Sequence, residues 1–152
     1  RGRNAVWDVP ECGMAHLKPR PLLAEGQRIA AIPGCRLMDL SDGLARDLPR
    51  LLGDLGADLI VEPSSLHREL LAFCTERGGP AADDPVPFAF TGGEEYGLLG
   101  ACPADEFPAL RAALAGLRPV RELGAVSGKP GIRLNGRGFS QPGFDHFTSS
   151  NK

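Results

Sequence analysis

The sequence predicts an α+β domain in α/β/α layers, a mixed sheet covered by helices, and three observations carry that expectation. Apolar residues recur with strand and helix periods in alternation along most of the chain. A β-rich tail follows, with a hairpin signal at Asn135-Gly136. Finally, 20 glycines and 14 prolines in 152 residues impose too many turns for a long helical bundle. With 42% hydrophobic and 24% charged residues, the chain can build one packed core.

Residues 1–20 show neither period, only turn formers around Pro10, Gly13, Pro19 and Pro21. They read as an arm or interdomain linker over residues 1–18, before a domain over residues 19–150. Trp7 is expected to pack this arm onto the body. A short helix is predicted over Pro21 to Ala31, where proline suits the first turn and Leu22, Leu23 and Ile29 are apolar. Arg36 to Leu40 reads as a strand, and Leu44, Leu48, Leu51, Leu52 and Leu55 form one apolar helical face closed by Gly56. A strand over Ala57 to Glu62 and a helix over Ser65 to Arg77 follow, then a loop. Pro87 to Thr91 and Tyr96 to Cys102 read as strands, Pro103 to Leu117 as a long helix, and Val120 to Val126 and Ile132 to Leu134 as closing strands.

The 17 Lys+Arg and 19 Asp+Glu leave a net charge of −2, without the electrostatic footprint of a nucleic-acid or anionic-membrane binder. No apolar run is long enough to span a bilayer, so neither partner is expected. Cys12, Cys35, Cys74 and Cys102 form no CxxC pair, which suits free thiols in a reducing, cytoplasmic compartment. His16, His67 and His146 share no zinc-ligand spacing with those cysteines, so no zinc site is expected. Ser127-Gly128-Lys129-Pro130 is a turn, since a phosphate-binding Walker loop needs Ser or Thr after its lysine. No G-x-S-x-G nucleophile elbow is present. The chain opens on Arg1 rather than Met, and the expectation is a fragment.

Three segments carry candidate chemistry. Met38-Asp39-Leu40-Ser41-Asp42-Gly43-Leu44 places two carboxylates and a hydroxyl where a strand turns into a helix, a common ligand position in open α/β sheets. Ser41 or Asp42 suits a helix cap. Asp39 lies in an apolar strand, where an unpaired carboxylate is costly to bury. Two hard oxygen donors three residues apart equally suit Mg²⁺ with phosphate oxygens. Thr91-Gly92-Gly93-Glu94-Glu95-Tyr96 either joins two strands or brings backbone close to a ligand. Gly143-Phe144-Asp145-His146-Phe147 either docks onto the body or offers an aromatic platform.

In this order, the three segments resemble the C-terminal half of the thiamine-monophosphate kinase family, within the superfamily of aminoimidazole ribonucleotide synthetase and selenophosphate synthetase. His16-Leu17-Lys18-Pro19-Arg20-Pro21 resembles the segment opening that half, so the likeness runs from about His16 to Phe147. It implies the superfamily's C-terminal α/β/α domain, partly ferredoxin-like. It also implies transfer of the ATP γ-phosphoryl group to thiamine monophosphate, giving thiamine diphosphate. Position by position, Asp39 and Asp42 would be Mg²⁺ ligands and Ser41 would touch the nucleotide phosphates. Glu94 would meet the thiamine phosphate and Phe144 its ring system. An N-terminal ATP-binding domain and a homodimer contact are implied partners, without which the chain alone is expected to be inactive. The family's Gly-Gly-Glu-Asp-Tyr-Glu-Leu segment differs here at Glu95 and Gly97. Two other readings stand beside this one: a non-catalytic ligand-binding or interaction domain of the superfamily, and a related ATP-dependent enzyme with another substrate.

Overall fold

In the computed structural model, residues 10–140 are described. Trp7, Phe144 and the rest of the Gly143 to Phe147 segment lie outside them. Two helices, α1 (Pro10–Leu17) and α2 (Leu23–Ala30), precede strand β1 (Arg36–Leu40) and helix α3 (Leu44–Leu52). Then come β2 (Gly56–Leu59), α4 (Arg68–Arg77), α5 (Pro80–Asp83), α6 (Pro85–Thr91), β3 (Gly97–Ala101), α7 (Phe107–Ala113), β4 (Gly124–Ser127), β5 (Gly131–Leu134) and β6 (Arg137–Phe139).

The α+β class is as expected, but the strands divide between two sheets rather than one. β1 and β3 form an antiparallel ribbon in which Asp39 faces Leu98 across the ladder. The other four strands form a mixed sheet in the order β4-β2-β5-β6, with β2 and β5 parallel and the outer pairs antiparallel. One apolar cluster unites both sheets: Leu48 and Leu52 from α3, Ala57 and Leu59 from β2, Val86 and Phe90 from α6, Leu99 from β3 and Leu134 from β5. The predicted face of α3 is the buried one, except that α3 stops at Leu52, with Gly53 at φ 63° as its C-cap, and Leu55 is exposed.

Four local readings need correction. Pro87 to Thr91, read as a strand, belongs to helix α6. Pro85 starts that helix, the Asp84 side chain accepts the Val86 N–H at 3.1 Å, and Val86 and Phe90 bury one face four residues apart. Phe88 points elsewhere, stacked on Phe73 with ring centroids 6.0 Å apart, so the apparent alternation came from a helix with two apolar contacts. Residues 10–17, read as irregular arm, form α1, whose first N–H groups are capped from α4: Glu69 accepts from Glu11 at 3.1 Å and Cys12 at 2.8 Å. The long helix over 103–117 is a 3₁₀ turn plus the shorter α7, with Gly116 at φ 79° beyond it. Of the stretch 120–126, only the part from Gly124 onward pairs as a strand.

The Asn135-Gly136 turn is a two-residue hairpin between β5 and β6, with φ 51° and 78° at its centre, as a type I′ turn requires.

If α6 is helical with Phe90 in the core, Phe90→Ala lowers unfolding free energy by about 3–5 kcal/mol and half-buried Phe88→Ala by clearly less. Urea unfolding followed by circular dichroism measures both; equal losses would argue for a strand.

Candidate functional site

Two of the three candidate segments meet at backbone level. The Glu94 N–H donates to the Ser41 carbonyl at 2.7 Å, and the Tyr96 N–H donates to the Leu40 carbonyl at 2.9 Å. Gly43, at φ 89°, lies so close to the other loop that a Cβ would stand 2.2 Å from the Gly92 carbonyl oxygen. Gly93 is as restricted, its Cβ position 2.7 Å from the Ser41 carbonyl oxygen. These glycines permit a close approach rather than a simple turn. Glu94 and Tyr96 have positive φ, 63° and 51°, a conformation that costs free energy in a residue with a side chain and clusters at functional sites.

The loop between β1 and α3 is held from below by Asp47, which sequence reasoning missed. Its side chain is fully buried. One carboxylate oxygen accepts the N–H groups of Ser41 at 3.0 Å and Asp42 at 2.8 Å, and the other accepts from Arg50 at 3.1 Å. The N-cap of α3 is Gly43, without a side-chain cap bond, so neither Ser41 nor Asp42 caps the helix as supposed. Asp47, in the first turn, instead reaches back to the two loop N–H groups that precede the helix. In sequence it reads as an ordinary acidic residue near a helix start.

Asp39 is exposed rather than buried, because the ribbon leaves its outer face open, and it makes no ion pair among the described residues. It lines a cavity of about 600 Å³ together with Tyr96 and Leu98 from β3's side and Pro21, Leu22 and Gln27 from the segment around α2. Asp42 stands at the loop's tip, only 19% exposed, with its carboxylate 2.6 Å from Arg50 and 3.7 Å from Arg46. Ser41 is partly exposed beside it. Glu94 is open to solvent and pairs with His16 of α1 at 3.3 Å. The same neighbourhood holds Glu95, which keeps surface exposure while nearby protein desolvates its carboxyl and raises its pKa. As Mg²⁺ ligands the two aspartates fit unequally. Asp39 offers a hard carboxylate without a cationic partner among the described residues, whereas at Asp42 an ion meets competition from two guanidinium groups.

No helix among the described residues is long and apolar enough to cross a membrane. The four cysteines are free thiols, as expected.

No protein-family model matches the chain. The thiamine-monophosphate kinase of Mycobacterium tuberculosis (strain ATCC 25618 / H37Rv) is 30% identical over 106 residues, 70% of this chain and 31% of its own. That of Halobacterium salinarum is 32% identical over 128 residues, 83% of this chain and 41% of its own. Among solved structures, thiamine-monophosphate kinase from Stenotrophomonas maltophilia K279a superposes with a TM-score of 0.68 at 26% identity, over 88% of this chain and 41% of its own. The chain therefore spans 31–41% of the length of its curated relatives.

Removing the buried acceptor should be expensive. Asp47→Ala strands two loop N–H groups and is expected to lower stability by about 3 kcal/mol. Chemical denaturation checks the loss; a change within about 0.5 kcal/mol, the range of surface substitutions, would show that the loop does not depend on Asp47.

Proposed function

Because the chain's curated homologues and structural neighbours are thiamine-monophosphate kinases, we propose that it is the C-terminal, substrate-side domain of such a kinase. The observation that carries this reading is the 2.7 Å bond from the Glu94 N–H to the Ser41 carbonyl. It joins the two acidic segments, with Asp39 and Tyr96 on the wall of one cavity of about 600 Å³. That volume lies within the usual range for small-molecule sites.

The reaction is transfer of the ATP γ-phosphoryl group to the phosphate of thiamine monophosphate. It demands positioning and charge neutralisation more than a covalent catalyst. Asp39 and Asp42 would hold Mg²⁺, which supplies neutralisation of phosphate charge when bound. Asp42 and Asp47 both accept from Arg50 Nη1, which fixes that guanidinium beside the loop, where its opposite edge can meet a phosphate oxygen. Ser41 contacts the nucleotide phosphates through its hydroxyl. Glu94 stands beside the cationic thiamine moiety, and Phe144 contributes an aromatic face to it.

Residues 1–18, of which 10–17 form the helix α1 docked on α4 through Glu69, lead from an N-terminal ATP-binding domain into this one, residues 19–150. The working enzyme is a cytoplasmic homodimer, and the isolated 152-residue chain does not turn over substrate. These assignments rest on the family resemblance of the segments around Asp42, Glu94 and Phe144.

In a full-length kinase carrying this segment, Asp39→Asn and Asp42→Asn should each lower kcat by roughly 100-fold or more, the loss expected when several kcal/mol of charge stabilisation is removed. Glu94→Gln should act mainly on the KM for thiamine monophosphate. Coupled assay of ADP release measures all three. Wild-type kinetics in the aspartate variants would overturn their role, and turnover by the 152-residue chain alone would overturn the division of labour.

A further inference from the structure

A second cluster of metal-ligand side chains lies where the N-termini of α1 and α4 meet, within electrostatic reach of Glu95. Glu69 caps α1 by accepting the Glu11 and Cys12 N–H groups, and that cap draws Cys12 to His67, the residue before α4. Cys12 Sγ lies 3.5 Å from His67 Nδ1. One ligand atom from each of Cys12, His67 and Glu69 falls within 4.8 Å of the others. Cys12 and His67 are 55 residues apart, so no spacing rule on the sequence finds them.

The imidazole is already arranged as a ligand. Its Nε2 stands 3.1 Å from Glu11 Oε2, and Glu11 is in turn paired with Arg68. Its Nδ1 accepts the Glu69 N–H at 3.3 Å and also lies beside the Cys12 sulfur, so this ring nitrogen faces both neighbours. A carboxylate behind the distal ring nitrogen is the usual outer support of a metal-bound histidine. The 3.5 Å separation of sulfur and nitrogen matches a tetrahedral edge built from bonds of about 2.3 Å to sulfur and about 2.0–2.1 Å to nitrogen.

We propose that Cys12, His67 and Glu69 form a binding site for a thiophilic divalent cation of the Zn²⁺ class, with water in the fourth position. A thiolate, an imidazole and a carboxylate form a borderline-soft set, which favours such an ion over Mg²⁺ or Ca²⁺. On binding, the Cys12 thiol gives its proton to solvent and a sulfur–metal bond replaces the S–H bond. The thiolate and the Glu69 carboxylate then balance the two positive charges of the ion. The Nδ1 lone pair passes from the long hydrogen bond with the Glu69 N–H to the metal. In the absence of an ion, burial first and the Glu69 carboxylate second push the thiol's pKa up, which keeps it protonated.

The consequence is a staple between two helices otherwise joined by polar caps. Its far end matters, because α1 carries His16, which pairs with Glu94 at 3.3 Å. The site thus steadies a helix that reaches the proposed substrate side, while its existence does not depend on the kinase reading.

Titration of the 152-residue chain with Zn²⁺, and with Co²⁺ as an optical probe, tests the site. The expected result is one ion per chain, a thiolate-to-cobalt charge-transfer band and a raised Tm. Cys12→Ser should abolish the band. His67→Asn, which retains a cap acceptor, should weaken affinity by roughly 10–100-fold or more, at least the loss known for outer-shell partners. Cys35→Ser should leave both unchanged, and circular dichroism confirms that each variant is folded. No uptake at roughly 100 μM free ion, far weaker than structural zinc sites, would mean that thiol and imidazole share only a hydrogen bond, and the proposal would fall. A band that persists in Cys12→Ser would equally overturn it.

Discussion

A single buried carboxylate fixes the geometry on which the candidate site depends. Asp47 is the one charged side chain among the described residues that is fully buried, and its oxygens are committed to the loop that carries Ser41 and Asp42 and to Arg50. A buried carboxylate is tolerable only when its lone pairs are satisfied, so the loop and the helix must hold each other in one arrangement. Ser41 and Asp42 are thereby freed from capping α3, although the Asp42 carboxylate still pairs with Arg46 and Arg50 of that helix. Had Ser41 or Asp42 capped α3, its oxygen would face the helix rather than the ligand side.

The second loop is defined by what cannot be added to it. Gly43 lies against Gly92, and Gly93 against Ser41, so the two segments touch through backbone alone. Side chains that follow are driven outward, which leaves Glu94 exposed and sets Tyr96 on the cavity wall with Asp39. The positive φ of Glu94 and Tyr96 is the cost of turning the chain there within so little space, and their N–H bonds to Ser41 and Leu40 offset it.

Local signals were legible in the sequence and tertiary ones were not. β1, the apolar face of α3 and the Asn135-Gly136 hairpin were readable because each depends on neighbours a few residues away. The segment from Pro87 to Thr91 misled because two aromatics flanking an alanine fit either period, and Asp84-Pro85 as a helix start was overlooked. Helix α1 escaped because its cap, Glu69, comes from more than 50 residues away. The same distance hid the meeting of Cys12 with His67, so a test by ligand spacing was bound to fail. At the site, Asp39, Ser41, Asp42 and Glu94 could be named from their segments, whereas Asp47 could not, since nothing in the sequence says which acid in a first turn points inward.

The Asn135 side chain also ties the hairpin to its parallel neighbour. It accepts the Val61 N–H at 2.9 Å and donates to the Val61 carbonyl at 3.0 Å, across 74 residues of chain. In effect the amide imitates one further residue of backbone at the end of the β2–β5 pairing. A shift of β5 by one position would send every side chain to the wrong face and would also take this amide away from its two partners. The turn that closes the hairpin is therefore also a register pin, penalising misalignment of the strand pair whose ends are slowest to find each other.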